Sequence, residues 1–256
     1  MSPIQRANFN HLVWDIAWFG FALAATTRFL SVFAIRSGAT AFELALMAAL
    51  PAVGLLLSAG WAAQWLGRFS DPIVALRWPA LIFRMQFLLP VFTPFFPAAL
   101  QPAWLVMAVT LPAFAQGVAG VTFIIMMRQV IPVSAMTALL SRRFLAMNGT
   151  LAFSALGFGL WLENVAFPYN YQVMFLAAFG LSLVSWHHCN RIQVDLEEAL
   201  PTAELRPKAA ELPWQSTGFR AVIASVSAHA PTLFCDLPVV PLTSGEWVAR
   251  GRRVYC

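Results

Sequence analysis

Four ionisable residues, Asp15, Arg28, Glu43 and Arg84, interrupt apolar runs of about the 20 residues a helix needs to cross a bilayer; Gln116 and Asn148 stand near the middle of two more such runs. A charge at that depth costs on the order of 2.5–3.5 kcal/mol even on a lenient insertion scale, so each needs an opposite charge, water or a route to the interface. Asp15 lies about one helical turn inside one face and Arg84 about two turns inside the same face, which makes them a candidate ion pair with Arg142 or Arg143 as alternative partners for the acid. Arg28 and Glu43 stand in the same relation near the opposite face. Asp15 and Arg28 do not pair with each other, because thirteen residues on one helix place them roughly 140° apart around it. Arg84 can also snorkel, and Glu43 can simply cap its helix, the more economical reading for that residue. Arg28 is too deep for easy snorkelling and is a candidate to line a polar cavity that holds an anionic group. Gln116 and Asn148 are candidates to contact a solute, with interhelical hydrogen bonding equally consistent. Arg28, Gln116 and Asn148 are therefore the candidate substrate-pathway residues.

The sequence argues against a membrane-embedded enzyme. It has no Gly-x-Ser-x-Gly, no His-Glu-x-x-His and no pair of acids within an apolar run, and Glu197 and Glu198 fall in a polar stretch. Cys189, Cys235 and Cys256 have no metal-ligand spacing, so no metal and no cofactor are expected. The net charge of +5 comes from arginines set singly between apolar runs rather than on one amphipathic element, which points to membrane topology and away from nucleic acid.

The elements that must position these residues follow from composition. Of 256 residues 60% are hydrophobic and only 11% charged, against about 25% charged in ordinary soluble domains, so an all-α polytopic membrane protein is expected. Apolar runs and their punctuation predict six spans, near 12–35, 41–66, 74–97, 103–127, 142–163 and 168–188. Thr40 and Glu43 have capping-box spacing before the second span, Asp71-Pro72 offers an N-cap and a proline at N1 for the third, and Ser141 precedes the fifth. Prolines at 51, 79, 90, 94 and 112 predict bends or local breaks. Small and polar residues recur at helical spacing in three spans: Pro51, Gly54, Ser58 and Ala62; Ala113, Gln116, Gly117 and Gly120; Asn148, Ala152, Ala155 and Gly159. Such stripes are expected to be helix-packing faces.

Arg6, Arg68, Arg77, Arg128, Arg142, Arg143 and Arg191 fall on one side of the predicted spans and only Arg36 on the other, which predicts a multi-pass plasma-membrane protein with both termini cytoplasmic. Trp14, Trp18, Trp61, Trp65, Trp78, Trp104, Trp161 and Trp186 fall near span ends, where amphipathic rings prefer to sit. Residues 191–218 are charged and proline-punctuated and read as a cytosolic linker. Residues 219–256 form a poorly defined tail in which 219–242 is at most a vestigial seventh span.

Six spans, inward termini, a short basic second connection and a linker after the sixth resemble the N-terminal half of a major facilitator superfamily transporter. The family's second-connection signature is met here by Gly60, Gly67 and Arg68, while Gln64 stands at its aspartate position and Trp65 at its first basic one. The fourth-span signature is met by Gln116-Gly117, with Ala113 at its arginine position. The resemblance implies a bundle of two inverted three-helix repeats, normally one of two such halves enclosing a midplane solute site. It implies a secondary-transporter-like protein for a small solute, apparently truncated and working with a second copy or a complementary half. A non-transporting membrane scaffold is the alternative.

Overall fold

The structure, a computed structural model, describes residues 1–194; the expected tail and all but the first residues of the expected linker lie outside them. Among the described residues it is all-helical, built from six rods. We number them α1 (Pro3–Arg36), α2 (Ala41–Leu66), α3 (Pro72–Phe95), α4 (Ala98–Val130), α5 (Val133–Asn164) and α6 (Tyr169–Asn190). The first five are long and apolar enough to cross a membrane. The sixth, at 22 residues, is long enough but falls short in apolarity, with Ser182, Ser185, His187 and His188 along it.

The termini of the rods are chemically specified. Ser2 accepts from the Gln5 backbone N–H while the Gln5 side chain accepts from Ser2 N, a capping box with Pro3 at the first helical position. α1 therefore begins nine residues before the expected boundary. It ends in a Schellman turn: Gly38, at φ 88°, donates to Ile35 O and Ala39 donates to Ala34 O. The expected Thr40–Glu43 capping box opens α2, and the Asp71 carboxylate accepts from Ile73 N to open α3. The expected start of α5 near Ser141 needs correcting. That helix begins at Val133, and Arg142 and Arg143 lie within it.

Two rods are irregular. α3 runs as α-helix to Phe83, turns at Arg84, and after Leu88 tightens into a 3₁₀ stretch, Leu89–Phe95, containing Pro90 and Pro94. Pro90 has no N–H for the carbonyl one turn back, so i→i+3 bonding takes over. The Trp104 indole N–H donates to Leu89 O in this stretch, tying α4 to it. By contrast Pro51, Pro79 and Pro112 sit in helix that continues through them. α1 widens into a π turn at Ala25–Phe29, where Thr26 and Thr27 hydroxyls both donate to Leu23 O.

α2 packs along α4, α5 along α1, α1 also along α6, and α3 along α4 and α6. Among the described residues two large apolar cores result, beside a small third at Leu66, Ala75 and Ile125. One, at the arginine-rich end, gathers Leu12, Leu76, Met126, Leu139 and Cys189; the other, at the far end, gathers Phe33, Phe87, Leu105, Tyr171 and Phe175. Glycine sets the closest approaches. A Cβ on Gly20 would collide with Thr150 Oγ1 and lie 2.8 Å from Met147 O, and one on Gly117 would collide with Ser58 Oγ and lie 2.8 Å from Leu55 O. The expected packing stripes of the second and fourth spans thus meet at Gly54 with Ala113 and at Ser58 with Gly117, while Gln116 and Gly120 of the fourth do not face α2. The fifth-span stripe does not pack: Asn148 and Ala152 are exposed and Gly159 faces open space. Instead α5 meets α1 through Met147, Thr150 and Ser154, whose hydroxyl donates to Phe21 O at 2.6 Å. Short hydroxyl side chains allow close approach as well as alanine does, and they add a hydrogen bond.

Candidate functional site

Asp15, Arg84 and Arg143 converge between the two apolar cores. Asp15 shares the inward face of α1 with Leu12 and Ala22, so packing α1 on α5 and α6 carries its carboxylate inside, to 5% exposure. Arg84 issues from the turn in the middle of α3, about 18 Å along that rod at 1.5 Å per residue, and is 3% exposed. Arg143 reaches in from α5, with its side chain 12% exposed.

Arg84 Nη2 lies 3.7 Å and Arg143 Nη1 3.4 Å from opposite oxygens of Asp15. The Ser185 hydroxyl donates to Asp15 Oδ1 at 2.8 Å and accepts from Arg84 Nη2 at 2.8 Å, so it relays between acid and base. Arg84 Nε donates to Ser182 O at 2.8 Å and Nη1 donates to Ala80 O, which leaves all three of its nitrogens bonded. Arg143 Nη1 also donates to Leu12 O. Its Nε and Nη2 have no partner among the described residues. The guanidinium planes are flanked by aromatic faces, Arg84 by Phe83 at 5.0 Å and Arg143 by Phe123 at 4.8 Å.

These groups line a cavity of about 210 Å³ between α1, α3 and α4, together with Phe19, Phe123, Gln116 and Gly120. Gln116, half-buried, makes no side-chain hydrogen bond among the described residues. The cavity is mostly apolar and carries one carboxylate against two guanidinium groups.

The expected Asp15–Arg84 pair is therefore a three-member cluster that also contains Arg143, the alternative partner. Arg142, its neighbour, is exposed and lies over the Phe9 ring at 5.3 Å. The expected Arg28–Glu43 pair does not form. Glu43 Oε2 accepts from Thr40 N at 2.8 Å and from Thr40 Oγ1 at 2.9 Å, where the N-terminal helix dipole also favours it. Arg28 lies in the π turn and is exposed, because the wider turn changes which side chains of α1 face inward. Asn148 is exposed as well and donates to Phe144 O of its own helix, so of the three pathway candidates only Gln116 lines this cavity. The second-connection residues lie at the end of α2: Gly60 faces open space, Gly67 is the C-cap, and Arg68 lies 5.6 Å over the Trp61 ring. Gln64 is exposed there.

Sequence reasoning missed Ser182 and Ser185. They recur three residues apart in the apolar run AAFGLSLVS, and that spacing, on a helix entering the same end as Asp15 and Arg84, is the signal that would have found them. It also missed Asn8, which donates to Gln193 O at 2.7 Å and accepts from Gln193 N at 3.0 Å, holding the chain beyond α6 to the start of α1.

No protein-family model, no curated protein and no solved structure matches this chain.

Proposed function

We propose that this chain is a secondary-transporter-like membrane protein, a six-helix half of the kind found in the major facilitator superfamily, which translocates a small solute together with a second copy or a complementary half. The observation that best supports this reading is the neighbour pattern of the rods. Exchanging α1, α2 and α3 with α4, α5 and α6 leaves it unchanged: α2 on α4 becomes α5 on α1, and α1 on α6 becomes α4 on α3. The same exchange maps Gly20 against Met147 and Thr150 onto Gly117 against Leu55 and Ser58. Two three-helix repeats related in this way, with a charged cavity where α1 and α4 approach, are what an inverted-repeat carrier requires.

The need for a partner follows from what a single half leaves uncovered. Arg28 and Asn148 are exposed on the rods, and a charge turned to lipid at that depth is costly, so a second half is expected to cover them. Both termini are cytoplasmic in this reading, because the connections rich in arginine face inward. Native mass measurement in detergent, with solute uptake into vesicles, tests the proposal. We expect assemblies of two or more chains whose uptake falls when Arg28 is replaced by alanine; a stable single chain that moves solute contradicts it. The scaffold reading is favoured by the exposure of Arg28 and Asn148 outside the cavity. Under it, substituting Arg28, Gln116 and Asn148 together changes assembly and leaves uptake unaltered.

A further inference from the structure

Resting on the transporter-like reading, we propose that the cavity between α1, α3 and α4 binds the carboxylate of a small organic monoanion with an apolar body, held by the unused N–H groups of Arg143 and the free amide of Gln116. Four observations lead there.

The first is charge. Among the described residues Asp15 is the one carboxylate that lines the cavity, and it lies within 4 Å of two guanidinium groups, so these residues give the site an excess of one positive charge. The other described carboxylates are elsewhere, Glu43 and Asp71 at helix N-termini and Glu163 near the far end of α5. A lone excess cation among apolar walls is costly, and an anion entering from outside removes that cost.

The second is donor supply. The nitrogens of Arg84 are all used, by Ser182 O, Ala80 O and Ser185 Oγ. Arg143 spends one nitrogen on Leu12 O and Asp15 Oδ2, and Nε with Nη2 remain, an edge of the planar fork suited to bidentate carboxylate binding. Gln116 adds a donor on α4 at the same cavity.

Size is the third. A cavity of about 210 Å³ lies below the roughly 300–1,000 Å³ of drug-sized sites and suits a small acid.

The fourth is the wall. Phe19, Phe83 and Phe123 line the cavity and offer apolar contact to an organic body, which a fully hydrated inorganic ion would not use. This separates an organic carboxylate from chloride or phosphate.

Benzoate is the probe. With purified full-length protein in detergent, we expect benzoate to raise the unfolding temperature saturably, as a ligand of the folded state must. Neutral benzamide and sodium chloride at equal concentration should leave it unchanged. Calorimetric titration should give one site, with affinity weakened at least tenfold by Arg143→Met and by Gln116→Leu and unchanged by Arg77→Ala, an exposed arginine outside the cavity. Gln116→Leu removes no ion-pair partner, so it remains informative if Arg143→Met fails to fold. Absence of saturable binding, equal stabilisation by benzamide or chloride, or undiminished affinity in Gln116→Leu would each overturn the proposal. Because binding is read without flux, uptake of solute without benzoate binding rejects the anion site alone, and benzoate binding without uptake of any solute rejects the transporter reading alone.

Discussion

Asp15 is the single carboxylate that balances two buried or nearly buried arginines, so its removal exposes the cost of the whole cluster. Asp15→Asn is expected to lower stability in detergent by about 3–5 kcal/mol, the penalty for stranding a buried charge, and Asp15→Asn with Arg84→Gln to recover part of that loss. Unfolding titrations of the wild type, both single variants and the double variant check this; losses that simply add would mean that the two side chains are not coupled. Ser185→Ala is expected to cost about 1.5–3 kcal/mol, because its hydroxyl bonds two charged groups. At this scale the sequence was informative wherever an ionisable residue sat in an apolar run, since burial cost alone demands a partner. Asp15 and Arg84 were legible for that reason. The Arg28–Glu43 pairing assumed regular α-helical turns through Ala25–Phe29 and does not form, whereas the cap held by Thr40, the more economical reading of Glu43, does.

The rods are held by backbone approach rather than by bulk. Gly20→Ala and Gly117→Ala should each lower stability by about 1–3 kcal/mol through overpacking, whereas Gly60→Ala, whose added Cβ meets nothing within 4 Å, should not destabilise. Thermal aggregation in detergent distinguishes the two classes, and equal effects at all three positions would contradict the packing described. Element existence was legible here because apolar length and capping chemistry agree: Thr40 with Glu43, and Asp71 with Pro72, fixed two helix starts correctly. The start of α5 was misplaced because Arg142 and Arg143 look like a loop, yet Arg143 is drawn inside by Asp15, a partner 128 positions away. The π turn left no sequence signature beyond two threonines whose hydroxyls serve one carbonyl. The face of α5 that packs was also hidden, since it carries Thr150 and Ser154 while the small and polar residues Asn148, Ala152 and Gly159 lie off it.

At the scale of the whole molecule, the exchange of α1–α3 with α4–α6 carries the functional reading, and it has a directional consequence. Helices that alternate up and down bring Ser70 and Pro132 to one end of the bundle and Gly38, Phe96 and Val165 to the other. In the proposed reading the arginine-rich first end faces the cytoplasm. The Asp15 cluster lies between the apolar core at the arginine-rich end and the core at the far end, where the proposed carrier needs its solute site. Cysteines introduced singly at positions 70, 132, 38 and 165, probed in intact cells with a membrane-impermeant thiol reagent, test this frame most directly. The account predicts rapid labelling at 38 and 165, with 70 and 132 protected until the membrane is opened. Labelling of 70 or 132 from outside, or of 38 and 70 alike, would contradict it.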